Sequence, residues 1–327
     1  MRKHQAGYLD GRVVLGLDMD DMHTRAVAMC RTEQGWQKKD VILTADGQGC
    51  LPVCICYDPN GKPRIGWETT TDPDAIFGFR CSPFGWTSLI GGVGRCWGAV
   101  LWNYISLVWE QIMEYNPFLA RAAEHRELLV LVSFPDGWDH RDGGHRYRQM
   151  LRRTTGYENI ELYPWLAAVY VYLQEKKSFV MEDSLMVWRF GYHLDYTWLG
   201  KDWGRFRTQY RKERKDVDPK AAHTGPWIET AWNHSYERSL TWAEEPRKGL
   251  VYLVGSFGNT PEIAEIAART HPDREIWQEK PPYTSAAEGL CLAGVRMVEA
   301  KAHRNQSGTE SWDTQSLMNW EEVYEPN

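Results

Sequence analysis

The chain has 327 residues, 43% hydrophobic and 25% charged, which is the make-up of a soluble globular protein with room for two lobes or one large α/β unit. A net charge of -6 argues against general binding to nucleic acid or anionic membrane, and no run of about 18 apolar residues is present to span a bilayer. The 17 tryptophans point to large aromatic contact surfaces as well as core.

Cysteines stand at 30, 50, 54, 56, 81, 96 and 291, an odd number without a Cys-x-x-Cys pair, so reduced thiols and a cytoplasmic location are expected. Cys54 and Cys56 are two apart on a predicted strand and share a face rather than forming a zinc site. The first seven residues lack the apolar segment of a secretory signal, in keeping with that location.

Residues 13–17 are a short apolar run of buried-strand type, and 26–29 resume one after a polar break. The tip of this strand-turn-strand carries Asp18, Asp20 and Asp21. Short strands are predicted at 41–43 and 51–57, and the Asn60-Gly61 turn leads into another at 64–67. Residues 70–95 are rich in Gly, Pro and Asp and read as loops with a short helix. Gly91-Gly92-Val93-Gly94 lacks the Gly-Lys-Ser/Thr of a phosphate loop and reads as a connection before a helix. That helix covers 97–115, with Leu101, Tyr104, Ile105, Val108, Ile112 and Tyr115 at three- and four-residue steps. Trp97, Trp102 and Trp109 widen its apolar surface and predict burial on two sides.

Residues 128–134 are continuously apolar, as in a central parallel strand buried on both faces. An Arg-bearing helix at 139–155, a strand at 160–163 and a helix at 164–173 opened by Pro164 follow, giving the order of an α/β lobe. A second lobe starts near 179 with a strand at 185–190, a turn at 191–193 and a returning strand at 196–199, repeating the first device. Residues 200–248 read as a charged insertion, 249–254 as a strand, 260–269 as a helix and 285–302 as a last helix containing Gly289 and Gly294. The expected organisation is a first lobe at 1–178, a second at 179–303 and an acidic tail at 304–327.

In this order the motifs resemble the superfamily that joins actin, the ATPase domain of heat-shock chaperones, plasmid-segregation filament proteins and sugar kinases. Its first phosphate loop is a strand ending in Asp, then Gly and two hydroxyl residues. Leu15-Gly16-Leu17-Asp18 matches the strand and its acid, and Asp20-Asp21-Met22 stands where Gly-Thr-Thr would. Ser133-Phe134-Pro135 and the helix after it resemble the first connecting segment. Tyr163-Pro164 with Ala167-Ala168 resembles a Glu-Pro-x-x-Ala-Ala step, with Tyr163 in the acid's place. Trp188-Arg189-Phe190-Gly191 resembles the second phosphate loop, with Arg189 for its leading Asp and its Gly run broken by Tyr192 and His193. Residues 253–261 resemble the adenosine motif, with Gly255 and Gly258 in register and Ser256 for one Gly. Ala286-Ala287-Glu288-Gly289-Leu290 and Ala293-Gly294 resemble the final connecting helix.

The resemblance spans roughly residues 13–300 and implies an α/β fold of two duplicated actin-like (ribonuclease H-like) lobes, mixed sheets flanked by helices, facing a central cleft. The degenerate nucleotide cleft would hold Asp18, Asp20, Asp21, Met22, Arg189, Gly191, Tyr192, His193, Gly255, Ser256 and Gly258. Glycine lets backbone N–H groups approach a phosphate, which Asp20 and Asp21 would instead repel. Arg189 and Tyr163 replace the acids that hold metal-bound water and position the attacking water, and in-line hydrolysis needs both. The expectation is a pseudo-ATPase used for protein assembly or scaffolding, with no catalytic residue assigned and no cofactor. Two readings of Arg189 remain, a pairing with Asp18 across an empty cleft or a contact to a nucleotide phosphate. The alternatives are a working ATPase binding ATP or ADP with Mg through Asp20 or Asp21, and a small-molecule kinase using Asp195 as base. No metal ligand is assigned beyond the group Asp18, Asp20 and Asp21.

Asp139-His140-Arg141-Asp142 with His145 is metal-capable but lacks a further ligand at a recognisable spacing, so a solvated helix start is expected. Arg205-Phe206-Arg207 through Lys215 interleaves bases and aromatics, but the acids among them favour a solvated or partner-docking surface over nucleic acid. In the tail, Trp312, Leu317, Trp320 and Tyr324 lie among acids, as in a segment that docks on a neighbour. The expected partners are proteins, an active actin-like relative or a second copy of this chain, rather than membrane or nucleic acid.

Overall fold

The opening apolar run forms β1 (Val13–Met19), buried at every position after the first. It is paired on both sides. β2 (His23–Thr32) returns antiparallel to it, and β3 (Gly35–Asp40) runs antiparallel to β2. The third strand therefore lies before 41–43, not on it. Its sequence Gly-Trp-Gln-Lys-Lys-Asp is charged and largely exposed because it ends the sheet, where lysines discourage further pairing. Val41 and Leu43 are buried all the same, as loop residues packed into the core. The computed structural model describes residues 12–20, 22–79, 85–90, 94–134, 142–177, 184–191, 194–202, 205–214, 224–240, 249–255, 257–281 and 283–307.

The predicted 51–57 strand divides in two. β4 (Cys50–Pro52) pairs with β2, whereas β5 (Cys54–Tyr57) joins β6 (Pro63–Arg64) and β7 (Ile76–Phe77) in a small separate sheet. The N–H of Val53 still goes to Met22 O at 2.7 Å, in register with the β4–β2 ladder, and from Cys54 the chain pairs in the small sheet instead. Next come α1 (Trp97–Tyr115), α2 (Pro117–Glu124), β8 (Leu128–Phe134), α3 (Asp142–Thr155), β9 (Ile160–Pro164) and α4 (Trp165–Lys177). β8 is buried throughout and parallel to both β1 and β9, as its apolar run requires. α1 has the expected bounds and buries Val100, Leu101, Tyr104, Ile105, Val108 and Ile112. Of the three tryptophans expected to widen its buried surface, Trp97 and Trp109 pack against the core and Trp102 is 40% exposed, so the second face is covered only in part.

The remaining elements are β10 (Ser184–Phe190), β11 (Leu194–Asp202), β12 (Arg205–Arg214), α5 (Thr224–Leu240), β13 (Gly249–Val254), α6 (Pro261–Thr270), β14 (Glu275–Gln278) and α7 (Ser285–Ser307). The stretch read as a charged insertion thus supplies β12 and α5. β12 is an edge strand like β3, and α5 buries Ile228 and Ala231 and packs Trp227 and Trp232 against the same core.

The protein is α/β, with three sheets among its described residues. One runs β3-β2-β1-β8-β9, with β4 also on β2, and another runs β12-β11-β10-β13-β14. In each, the first three strands form an antiparallel meander, and the last two run parallel to the strand that opened it. No helix among the described residues is long and apolar enough to cross a membrane.

The chain folds as two compact units, one holding the residues up to Glu175 together with α7, the other spanning Lys176–Tyr283. The expectation put α7 in the second lobe. It packs instead on β1, β2 and β8 of the first, where Leu290, Cys291, Ala293 and Val298 meet Val14, Val27, Leu129 and Leu131. Each such fully buried leucine or valine is worth about 1.5–3 kcal/mol. Backbone closeness makes this possible: a Cβ on Gly16 would lie 2.1 Å from Ala287 O, and one on Gly289 would lie 1.9 Å from Ala168 O of α4. The Cys291 thiol donates to Val27 O at 2.9 Å and accepts from Gly16 N at 3.1 Å, tying the helix to the sheet.

Candidate functional site

Ligands of open α/β sheets sit beyond the carboxyl ends of the parallel strands. In the first unit those ends carry Asp18 and Met19 on β1, Ser133 on β8 and Tyr163 on β9. Ser133 and Tyr163 are register partners, and Met19 N donates to Ser133 Oγ at 3.2 Å. The loop that follows β1 is organised by Asp20. Its Oδ1 accepts the backbone N–H groups of Met22 at 2.6 Å and His23 at 2.5 Å, while its Oδ2 accepts from the Arg25 guanidinium at 2.6 Å. Both side chains are buried, Arg25 at 3% exposure and Asp20 at 8%. Burial alone would raise the Asp20 pKa, but Arg25 and the two N–H groups outweigh it and hold the carboxyl below its ordinary range.

The loop is fastened from below as well. Thr24 donates to Tyr104 at 2.7 Å, and the Tyr104 hydroxyl donates to Pro52 O at 3.2 Å. His23 packs its ring 5.7 Å from Trp67, and its pKa is lowered first by burial and then by Arg25. Asp20 is therefore turned inward, away from the phosphate-facing role the sequence implied for it. Among the described residues no group of three or more His, Cys, Asp and Glu converges to hold an ion. Asp18 is buried and faces Arg25 across the β1–β2 ladder. Met22 forms part of the turn itself, and Asp21 lies outside the described residues.

The second unit repeats the position with the charges exchanged. Arg189 on β10 faces Asp195 on β11, one register pair before the hairpin closes, just as Asp18 faces Arg25. Arg189 and Asp195 form an ion pair, and Arg211 of β12 reaches the other Asp195 oxygen at 3.4 Å. Burial raises the pKa of Asp195, and Arg189 followed by Arg211 more than reverses the effect. A carboxylate held ionised between two guanidiniums is a poor proton acceptor, which weakens the kinase alternative that needed Asp195 as base. The sequence reading set Arg189 against Asp18 or a phosphate, and did not anticipate Asp195 as its ion-pair partner.

Beside this hairpin lies the turn after β13. Gly255 has φ +88, and a Cβ there would come within 2.4 Å of Phe190 O, so the turn needs glycine to pass the end of β10. Gly258 closes the same turn, its N–H donating to Gly255 O at 3.0 Å. Gly255 N donates to the buried Glu279 at 3.4 Å, and the Gln278 side chain donates to Gly258 O and Thr260 O. Arg189, Gly191, Gly255 and Gly258 are thus brought to one end of the second sheet, next to Glu279, which the sequence reading missed. Tyr192, His193 and Ser256 lie outside the described residues, as do the tail residues Trp312, Leu317, Trp320 and Tyr324.

No protein-family model matches the chain, and no curated protein matches it. What the site does must therefore be argued from its own residues. Arg25 and Arg211, which close the two ion clusters, read in the sequence as part of the polar break before 26–29 and of a charged surface stretch. An Asp-x-x-His turn followed by Arg two residues later was the signal for the first, since an Asp side chain readily accepts the N–H groups two and three residues on. The six described cysteines, at 30, 50, 54, 56, 96 and 291, are unpaired thiols. Cys54 bonds Thr69 at 2.8 Å, and its pKa is raised by burial.

Proposed function

We propose that the chain is a duplicated actin-like module that has lost ATP hydrolysis and serves as a protein-assembly or scaffold unit. The carrying observation is the repeated topology. Each unit threads three antiparallel strands, then helix, strand, helix, strand, with the same strand order and directions; the first adds β4–β7, α2, α4 and α7. Two further observations support it. The segment likened to the family's Glu-Pro-x-x-Ala-Ala step and the one likened to its final connecting helix meet at Ala168 and Gly289, and the residues likened to its two phosphate loops occupy equivalent ladder positions.

Loss of hydrolysis is supported by what stands at those positions. Asp20 is consumed by its own loop, Asp195 by two arginines, and Tyr163 and Arg189 carry no carboxylate. With no carboxylate at 189 to hold metal-bound water and none at 163 to orient the nucleophile, in-line attack loses the support those two positions would give. Phosphate release from ATP with magnesium should equal the buffer blank, and millimolar ATP should leave the melting temperature unchanged. Turnover above the blank would refute the loss of hydrolysis. Assembly is tested by light scattering and capture of candidate actin-like partners, with and without residues 306–327. A chain that stays monomeric and captures none of them, before and after the deletion, would remove the scaffold role.

A further inference from the structure

We infer that the β1–β2 loop is an oxyanion receptor permanently occupied by its own Asp20 side chain. The elements that would hold a small anion are all present around one point. Two consecutive backbone N–H groups, from Met22 and His23, converge on one oxygen, and a buried guanidinium, Arg25, meets the other. Successive N–H groups aimed at one atom form an anion-binding concavity, and a guanidinium supplies the matching charge. The receptor is held open by bonds independent of its occupant: Val53 N to Met22 O at 2.7 Å, Asp20 N to His23 O at 2.9 Å, and Thr24 to Tyr104 at 2.7 Å. An external anion would have to displace a covalently tethered carboxylate whose effective concentration is in the millimolar range or above. The loop therefore keeps its shape without ligand and is closed to phosphate in the native chain. The inference rests on the first unit alone, and its failure would leave the two-unit reading untouched.

Removing the carboxylate should turn the receptor outward. Asp20→Ala leaves the N–H groups and Arg25 facing a space the size of a carboxylate, which formate can fill and which inorganic phosphate enters where the shortened side chain lets the loop open. The full chain and the Asp20→Ala variant are melted in sodium chloride, formate, phosphate or ATP without magnesium, at matched ionic strength. The variant should melt several degrees below the native chain in chloride and recover a good part of that loss in formate or phosphate. The native chain and the Asp20→Ala, Arg25→Met double variant should not respond. If the single variant does not fold in chloride, the same series reads recovery of its circular dichroism, and refolding in formate or phosphate carries the same weight. Recovery in ATP at lower concentration than in phosphate would also support the receptor and extend it to nucleotide. A variant indifferent to every anion, or a native chain stabilised as much as the variant, would overturn the inference.

Discussion

Mild acid should weaken the second unit through His271. This side chain is 2% exposed, packed edge-on to Trp232 at 4.6 Å and against Trp188 at 5.3 Å, with Tyr196 at 6.5 Å. Among the described residues neither ring nitrogen has a hydrogen-bond partner. The charged group facing it is Arg274, whose guanidinium lies over Trp232. Burial, and then Arg274, push the imidazole from 6.5 down to about 3. In this interval the unfolded chain binds the extra proton, so stability is fully present above 6.5 and is lost as pH falls toward 3. Going from pH 7 to pH 5 should cost about 2 kcal/mol, and the whole window about 5 kcal/mol at 1.4 kcal/mol per unit. Asp20 and Asp195, with lowered pKa values, keep their contribution until below 3.8 and do not confuse the upper part of the window. The assay is urea unfolding at pH 7, 6 and 5, followed by tryptophan fluorescence, for the native chain and for His271→Phe. The native midpoint should fall by roughly 1–2 M urea, and the variant should lose the share His271 carries and keep the smaller one of His23, whose pKa burial also lowers. An equal loss in both would refute the assignment of the acid sensitivity to His271.

Gly289→Ala should lower stability by about 2–3 kcal/mol in urea, since its methyl would fall 1.9 Å from Ala168 O and force the α4–α7 crossing apart. Asp195→Asn should cost about 3 kcal/mol, because it leaves the Arg189 and Arg211 guanidiniums without their shared counter-charge. Trp102→Gln, on the exposed side of α1, should change the unfolding midpoint by no more than about 0.5 kcal/mol equivalent; a larger loss would mean that the second face of the helix is covered. Burial pushes the Cys291 thiol up, so native protein treated with iodoacetamide at pH 8 should show no adduct at Cys291 by mass spectrometry, while urea-unfolded protein should.

What the sequence determined by itself was whatever a local period or a continuous apolar run encodes. α1 follows from the spacing of Leu101, Tyr104, Ile105, Val108 and Ile112, and β8 from seven residues with no exposed position. The hairpins at β1–β2 and β10–β11 were legible for the same reason: turns and buried strands restrict residue type locally. The charged edge strands were not. β3 and β12 look like loops in sequence because their stability comes from a neighbour's ladder, not from burying their own side chains. Chain order also could not say which sheet α7 covers, because a helix that presents small residues packs wherever a glycine admits it, here Gly16 of a strand about 270 positions away. The reversal at Asp20 has the same origin. An acid at a loop tip reads as a charge facing outward until the fold buries an arginine beside it; two N–H groups and Arg25 then make inward the lower-energy direction.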